Sequence, residues 1–218
     1  MKPGAETDAF IRAGTARSRP PLVPEIALYL ATEITPLWQA TQDALDDDRL
    51  EPPFWAFAWP GGQAMARYLL DVPETVAGRR VLDLCAGSGI AAIAAAHVDA
   101  AEVVAADIDP LAAAAIALNA QANGVSVQIE TADLLDCAPD GWEVVLAGDV
   151  CYERPLAGRI VPWLRAAAAN GALVLLGDPG RAYLPADGRE EVACMIVPTS
   201  RAVEDSEVRI TRLWRMLP

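Results

Sequence analysis

The sequence predicts an α/β fold, a mostly parallel sheet covered by helices on both faces, and three observations carry that prediction. From Pro53 onward, short apolar runs alternate with alanine-rich segments, the pattern of buried parallel strands joined by crossover helices. Gly87 and Gly89 directly follow the apolar run at 81–84, where a chain leaving a strand must turn tightly into a helix. At 218 residues and 53% hydrophobic, the chain can bury a large core within one domain plus an extension.

The elements follow in order. Residues 1–22 are polar and end in Arg19-Pro20-Pro21, which predicts a loose arm stopped by the proline pair. Helix-like patterns occupy 25–30 and 37–45, and Asp46-Asp47-Asp48 marks an exposed turn, so residues 1–52 are expected to form an N-terminal helical cap. Residues 53–62 gather Phe54, Trp55, Phe57 and Trp59 ahead of Gly61 and Gly62, and a helix is expected over 63–70. Strands are expected at 80–84, 102–106, 125–130, 143–147 and 172–176, with helices starting near Ile90, Pro110 and Pro155. Two extended runs, 190–197 and 207–213, are joined by a polar loop without a helix, so they should pair antiparallel and complete a seven-stranded sheet within 53–218.

Seventeen Lys plus Arg against thirty Asp plus Glu give a net charge of -13, a field that repels a phosphate backbone and argues against nucleic acid as a partner. A protein substrate with its acceptor in a basic neighbourhood would be steered favourably; the same charge also serves solubility. The four cysteines, Cys85, Cys137, Cys151 and Cys194, form no C-x-x-C pair, so neither a zinc site nor a disulfide framework is indicated, and a reducing cytoplasm fits. No run approaches the ~20 apolar residues of a membrane span, and the N-terminus lacks an apolar signal core. A soluble, non-secreted protein is the expectation.

Chemistry concentrates where strands end. Gly87 and Gly89, with Ala92, satisfy G-x-G-x-x-A, so a Rossmann-like dinucleotide site is one reading. Asp107, closing the next strand, suits ribose hydroxyls in either a dinucleotide or an adenosyl cofactor. Asp83 separates the two: a carboxylate four residues before Gly87 suits an ammonium or sulfonium and works against a pyrophosphate. Its structural alternative is to accept backbone N–H groups of the loop. Asp109 precedes Pro110 and reads as a helix N-cap. Asp133, beside Leu134, could accept the exocyclic amine of adenine or cap a helix. Asp83, Gly87, Gly89, Asp107 and Asp133 all fall at carboxyl ends of parallel strands, where open α/β sheets bind ligands, and together they point to S-adenosyl-L-methionine.

With these residues in view, the chain resembles the seven-β-strand, class I S-adenosylmethionine-dependent methyltransferases that act on protein lysines. Asp149-Val150-Cys151-Tyr152 matches that family's acidic-x-x-aromatic motif after the fourth strand, and Trp59 stands just before the helix that precedes the glycine loop. Residues 53–62 and Gly177-Asp178-Pro179-Gly180-Arg181 resemble the electron transfer flavoprotein β-subunit lysine methyltransferases within it. The resemblance implies that Trp59 and Gly87 flank the methionine end, with Asp83 and Gly89 in the same loop. It further implies that Asp107 and Ile108 meet the ribose, that Asp133 and Leu134 frame adenine, and that Gly148 offers its backbone. Asp149 and Tyr152 would face the acceptor lysine of a protein substrate, expected to be the flavoprotein β-subunit; no metal is implied. An Asn-Pro-Pro-Tyr signature is absent at the matching place.

Asp149 is expected to recruit and orient the lysine, Tyr152 to supply an aromatic wall, and Trp55 and Phe57 to extend the channel or pack in the core. Arg181 is expected either to bind an acidic group or to lie on a loop surface, and Glu153 and His97 receive no role. The alternatives are a small-molecule N- or O-methyltransferase, a non-catalytic cofactor-binding module and an NAD-dependent oxidoreductase.

Overall fold

The computed structural model describes residues 4–31, 34–45 and 52–218. Instead of a loose arm, the N-terminal segment folds as helix α1 (Ala5–Gly14) and strand β1 (Ala16–Ser18). The cause is Ile11, wholly buried in a cluster with Leu37, Trp55, Leu111 and Leu118, so a segment polar on average still offers one apolar anchor. Residues 25–30, expected as helix, contain strand β2 (Leu28–Leu30), antiparallel to β1. Asn119 and Asn123, one turn apart on a later helix, explain the correction. Tyr29 N–H donates to Asn119 Oδ1 at 2.7 Å, Ala27 N–H donates to Asn123 Oδ1 at 2.9 Å, and Asn123 Nδ2 returns a bond to the Ala27 carbonyl at 2.6 Å. Two carboxamides thus hold an extended chain that intrinsic propensity would make helical. Helix α2 (Ile34–Leu45) agrees with its pattern, and the acidic turn at 46–48 lies outside the described residues.

The alternating region then unfolds along the chain as α3 (Pro60–Asp71), β3 (Arg80–Leu84), α4 (Ile90–His97), β4 (Glu102–Ala106), α5 (Pro110–Asn123) and β5 (Gln128–Glu130). It continues with β6 (Val144–Gly148), α6 (Arg154–Ala169), β7 (Leu173–Asp178), β8 (Arg189–Pro198), the short α7 (Arg201–Glu204) and β9 (Val208–Met216). Seven strands form one sheet in the order β5-β4-β3-β6-β7-β9-β8, parallel except for β9, which pairs antiparallel with both β7 and β8. The link from β5 to β6 carries only a short 3-10 turn (Leu134–Asp136) in place of a full crossover helix. Strand alternation sorts the core: Val81, Val103 and Val144 face α3 and α4, while Leu82, Val104 and Val145 face Ile160, Trp163 and Leu164 of α6.

The helix order brings α3 to an unusual place, with its first turn pressed against the ends of β6 and β7. A Cβ on Gly61 would lie 2.3 Å from the Gly177 carbonyl oxygen and 2.5 Å from Asp149 Oδ2, and one on Gly177 would lie 2.5 Å from the Gly61 oxygen. Gly148 completes the contact, since its Cβ would meet Gly62 N at 3.0 Å. Only glycine allows this approach. Gly61→Ala and Gly177→Ala should each lower stability in denaturant unfolding by about 2 to 3 kcal/mol, the upper range of overpacking. Gly158→Ala, within α6 and with nothing inside 4 Å of the new methyl, should instead be neutral or slightly stabilising.

Candidate active site at the carboxyl ends of the strands

Tight turns at two strand ends open a cleft above the sheet, lined by Trp59, Asp83, Gly87, Gly148, Asp149 and Phe57 among others. All six of these residues, singled out in the sequence, therefore meet in one place. Asp83, one residue before the end of β3, is buried, and its Oδ2 accepts one hydrogen bond, from the Ala92 N–H in the first turn of α4, at 2.9 Å. That is the structural alternative weighed for it, realised on the helix and not on the glycine loop. Burial above all pushes its carboxyl up to about 7, with the Asp107 charge adding to the rise. Asp107 accepts Gly87 N–H at 2.8 Å and Asp109 N–H at 3.0 Å, so it shapes the glycine loop, and burial raises its pKa as well. Among the described residues no arginine pairs with either carboxylate. One buried and one half-buried acid beside a glycine loop, neither paired with a guanidinium, fit a cationic adenosyl ligand and oppose a pyrophosphate.

The other predicted contacts are more dispersed. Gly89 is the left-handed N-cap of α4, φ 75°, and a Cβ there would meet Ile116 at 3.1 Å, so it serves helix packing as well as the turn. Asp109 caps α5 as its spacing predicts, accepting Leu111 N–H at 2.8 Å. Asp133 accepts Leu135 N–H at 3.1 Å and pairs with Arg159 at 2.9 Å, while the Leu134 carbonyl accepts from Trp163 Nε1 at 3.0 Å. Ile108 is 66% exposed, an apolar side chain standing free at the same sheet edge.

Beside Trp59 sits an aromatic group whose central member, Phe54, received no role from the sequence motifs. Its ring lies 5.9 Å from that of Trp59 and 5.3 Å from that of Tyr152, while Phe57 lies 5.8 Å from Trp59. Trp59 Nε1 donates to the Phe54 carbonyl at 2.7 Å, which fixes the indole edge. Tyr152 is 41% exposed, whereas Trp55 and Phe57 are buried, so Trp55 belongs to the core and Phe57 to core and cleft wall together. The density of aromatics at 54–59 was the available signal for Phe54.

Asp149 is held more firmly than its motif suggests. It adopts a left-handed φ of 59° just past β6. Its Oδ2 accepts Gly61 N–H at 2.6 Å and Gly62 N–H at 3.2 Å, so it neutralises the positive end of α3. Its Oδ1 accepts from Arg181 at 2.8 Å. Burial pushes the carboxyl up to about 6 despite that guanidinium. Arg181 is therefore neither a surface residue nor free to meet an acidic ligand: it bridges Asp149 and buried Glu204 and lies 5.7 Å from the Trp59 ring centre. Glu153 is the N-cap residue of α6 without a side-chain cap bond, and His97 ends α4. Burial pushes the Cys85 and Cys151 thiols up to about 12, which removes both as thiolate nucleophiles.

The family model for ribosomal protein L11 methyltransferase matches residues 65–148, which span β3 to β6. Electron transfer flavoprotein β-subunit lysine methyltransferases are similar over much more of the chain. The Xenopus laevis protein is 40% identical over 80% of this chain and 70% of its own length, and the Homo sapiens protein 40% over 81% and 67%. The chain belongs to this family. The Danio rerio member is 44% identical over 74% of the chain, and the match spans 62% of that protein's length, just under two thirds. Among solved structures, a T. thermophilus 16S rRNA methyltransferase in complex with AdoMet and guanosine superposes with TM-score 0.58, covering 94% of this chain and 50% of its own at 15% identity. The magnesium protoporphyrin IX methyltransferase of Synechocystis PCC 6803 with bound SAM superposes with TM-score 0.52 over 71% and 77% at 16% identity. These last two share the fold.

The titration of Asp83 has a stability consequence. Its pKa rises from 3.8 to about 7 on folding, so the folded chain binds a proton more tightly than the unfolded one. That contribution is complete below about pH 4 and is lost as pH climbs through about 7. Asp149, Asp107 and Asp178 are shifted in the same direction. The melting temperature should therefore fall between about pH 4 and pH 7, and Asp83→Asn, which keeps an acceptor for Ala92, should flatten that fall in calorimetric scans.

Proposed function

We propose that this protein transfers a methyl group from S-adenosyl-L-methionine to a lysine side chain of a protein, that protein being the electron transfer flavoprotein β-subunit. The observation that carries the reading is the coincidence of two features at one cleft. Buried Asp83 and half-buried Asp107, without a guanidinium partner, favour a cationic adenosyl cofactor, and the aromatic and acidic group of Phe54, Trp59, Tyr152 and Asp149 favours a long cationic side chain. The named relatives, 40–44% identical over 74–81% of the chain, support the substrate.

S-adenosyl-L-methionine supplies a methyl group on a sulfonium, and its displacement by an amine needs alignment more than acid-base power. In this reading Gly87 and Gly148 give the cofactor backbone contact, Asp107 with Ile108 meets the ribose, and Asp133 with Leu134 frames the adenine from outside the cleft lining. A lysine of pKa about 10.4 must reach the cleft as a free amine, at a cost of about 4 to 5 kcal/mol at pH 7. Asp149 recruits the ammonium with what remains of its acceptor capacity, and Tyr152 with Phe54 guides the alkyl stem and holds the charge by cation-π attraction. The proton leaves to water before transfer, because a carboxylate favours the ammonium form. No described helix is long and apolar enough to cross a membrane and all four cysteines are free thiols, which suits a reducing cytoplasm as the working place.

Incubation of the purified protein with the flavoprotein and methyl-labelled cofactor, followed by mass spectrometry, should locate the label on a β-subunit lysine; label on small molecules alone would favour the small-molecule alternative. Asp149→Asn, which keeps an acceptor for the Gly61 and Gly62 N–H groups, should abolish that transfer while S-adenosylhomocysteine affinity, measured by calorimetry, stays nearly unchanged. Phe54→Ala and Tyr152→Ala should each raise KM for the protein substrate about 3- to 30-fold, the loss of a cation-π contact of about 0.5 to 2 kcal/mol, with cofactor binding unaltered.

A further inference from the structure

Asp149 stands at one end of a buried chain of alternating charges. Arg181, from the loop after β7, donates to Asp149 Oδ1 at 2.8 Å and, through both terminal nitrogens, to Glu204 of α7, one of these bonds being very short and the other 3.3 Å. Arg209 on β9 donates its Nε to Glu204 Oε2 at 2.9 Å and a terminal nitrogen to the Glu204 carbonyl at 2.7 Å. Side-chain exposure is 8% at Asp149, 19% at Arg181, 2% at Glu204 and 38% at Arg209, so water screens the first three groups little. A glutamate this deep is unusual for a short surface turn and is retained only because two guanidiniums face it.

We infer that Glu204, acting through Arg181, is a positioning residue that sets how strongly Asp149 attracts the acceptor ammonium. The inference rests on the lysine-methylating reading above. The four charges sum to zero, so the acceptor meets a carboxylate whose charge is already shared with a cation. Were Glu204 neutral, Arg181 would turn wholly to Asp149 and the chain would carry a net positive charge. The ammonium would bind less well, and the bound amine would lose its proton at lower pH. Were Arg209 neutral, the chain would be net negative and both effects would reverse, more weakly because Arg209 is nearest solvent.

The other charged groups around Asp149 do not replace this control. The α3 side presents only the Gly61 and Gly62 N–H groups, and Asp83 lines the far wall of the cleft. Asp178, at the end of β7, is tied by its Oδ1 to Gly180 N–H and Arg181 N–H, both at 2.6 Å, while Cys151 stays a neutral thiol. Asp178 and Glu204 both raise the Asp149 pKa, and Arg181 lowers it, as the alternating chain requires.

The test compares kcat/KM against pH for wild type, Glu204→Gln and Arg209→Met, with the flavoprotein as methyl acceptor. Glu204→Gln should raise KM for the acceptor about tenfold and move the alkaline rise of the rate to lower pH by about one unit, with S-adenosylhomocysteine affinity unchanged. Arg209→Met should move that rise the opposite way; displacements of opposite sign are not what general loosening of the fold produces. Profiles of both variants superimposable on wild type, or shifted in the same direction, would overturn the inference. Glu204→Asp, which keeps the charge, should restore the wild-type profile if the glutamine variant folds poorly, and failure to do so would also count against it. A carbon-13 titration of the Asp149 carboxyl is independent of turnover: Glu204→Gln should lower its midpoint. An unchanged midpoint sinks the charge chain even if the wild type proves inactive on lysine, whereas inactivity with a lowered midpoint sinks only the substrate reading.

Discussion

The close approach of the first turn of α3 to the ends of β6 and β7 is the constraint on which the site depends. Gly61, Gly148 and Gly177 remove every Cβ that would hold these backbones apart, and Asp149 then accepts the two N–H groups that the turn leaves exposed. Because Trp59 immediately precedes this turn, the same contact fixes where the indole stands, and through it Phe54 and Tyr152. One acidic residue thus closes a helix end, pins an aromatic wall and faces the cleft. The left-handed backbone that Asp149 adopts is tolerated because its carboxylate is bonded on both oxygens.

Charge is distributed with the same economy. Among the described residues Asp83 and Asp107 have no arginine beside them, whereas the buried acids around Arg181, Asp149 and Glu204, each have a guanidinium in direct contact. Carboxylates held partly or wholly out of water without a cation beside them are costly to the folded state, and their raised pKa values record that cost. Such a cost is retained where a cationic ligand can offset it, which is the physical argument for an adenosyl sulfonium over a dinucleotide.

Strands β3 and β4 could be read from the chain to the residue, since buried parallel strands are near-continuous apolar runs bounded by turn residues, and the antiparallel pairing of the last two strands followed from a link too short for a crossover, although that link, expected without a helix, holds the four-residue α7. The N-terminal segment was misread for an equally specific reason. Its ordering depends on Ile11 entering a distant cluster and on Asn119 and Asn123 reaching back about ninety residues or more to Tyr29 and Ala27. Neither has a local signature. Arg181 was misplaced likewise, because a glycine- and proline-rich loop looks exposed until its partner, Glu204, is known.

By itself the sequence determined the sheet, the glycine turn, the acids at the strand ends and the acidic-x-x-aromatic motif, because all of these are encoded within a few residues by periodicity, by the freedom of glycine and by where strands stop. Only the tertiary structure decided what those acids touch. Asp133 became a cap with an arginine partner, Asp107 a support for Gly87, and Asp149 the end of a charge chain running to Arg209. Hydrogen bonds and ion pairs act over about 3 Å between groups that the chain separates by tens of residues, so their partners exist only once the fold has closed.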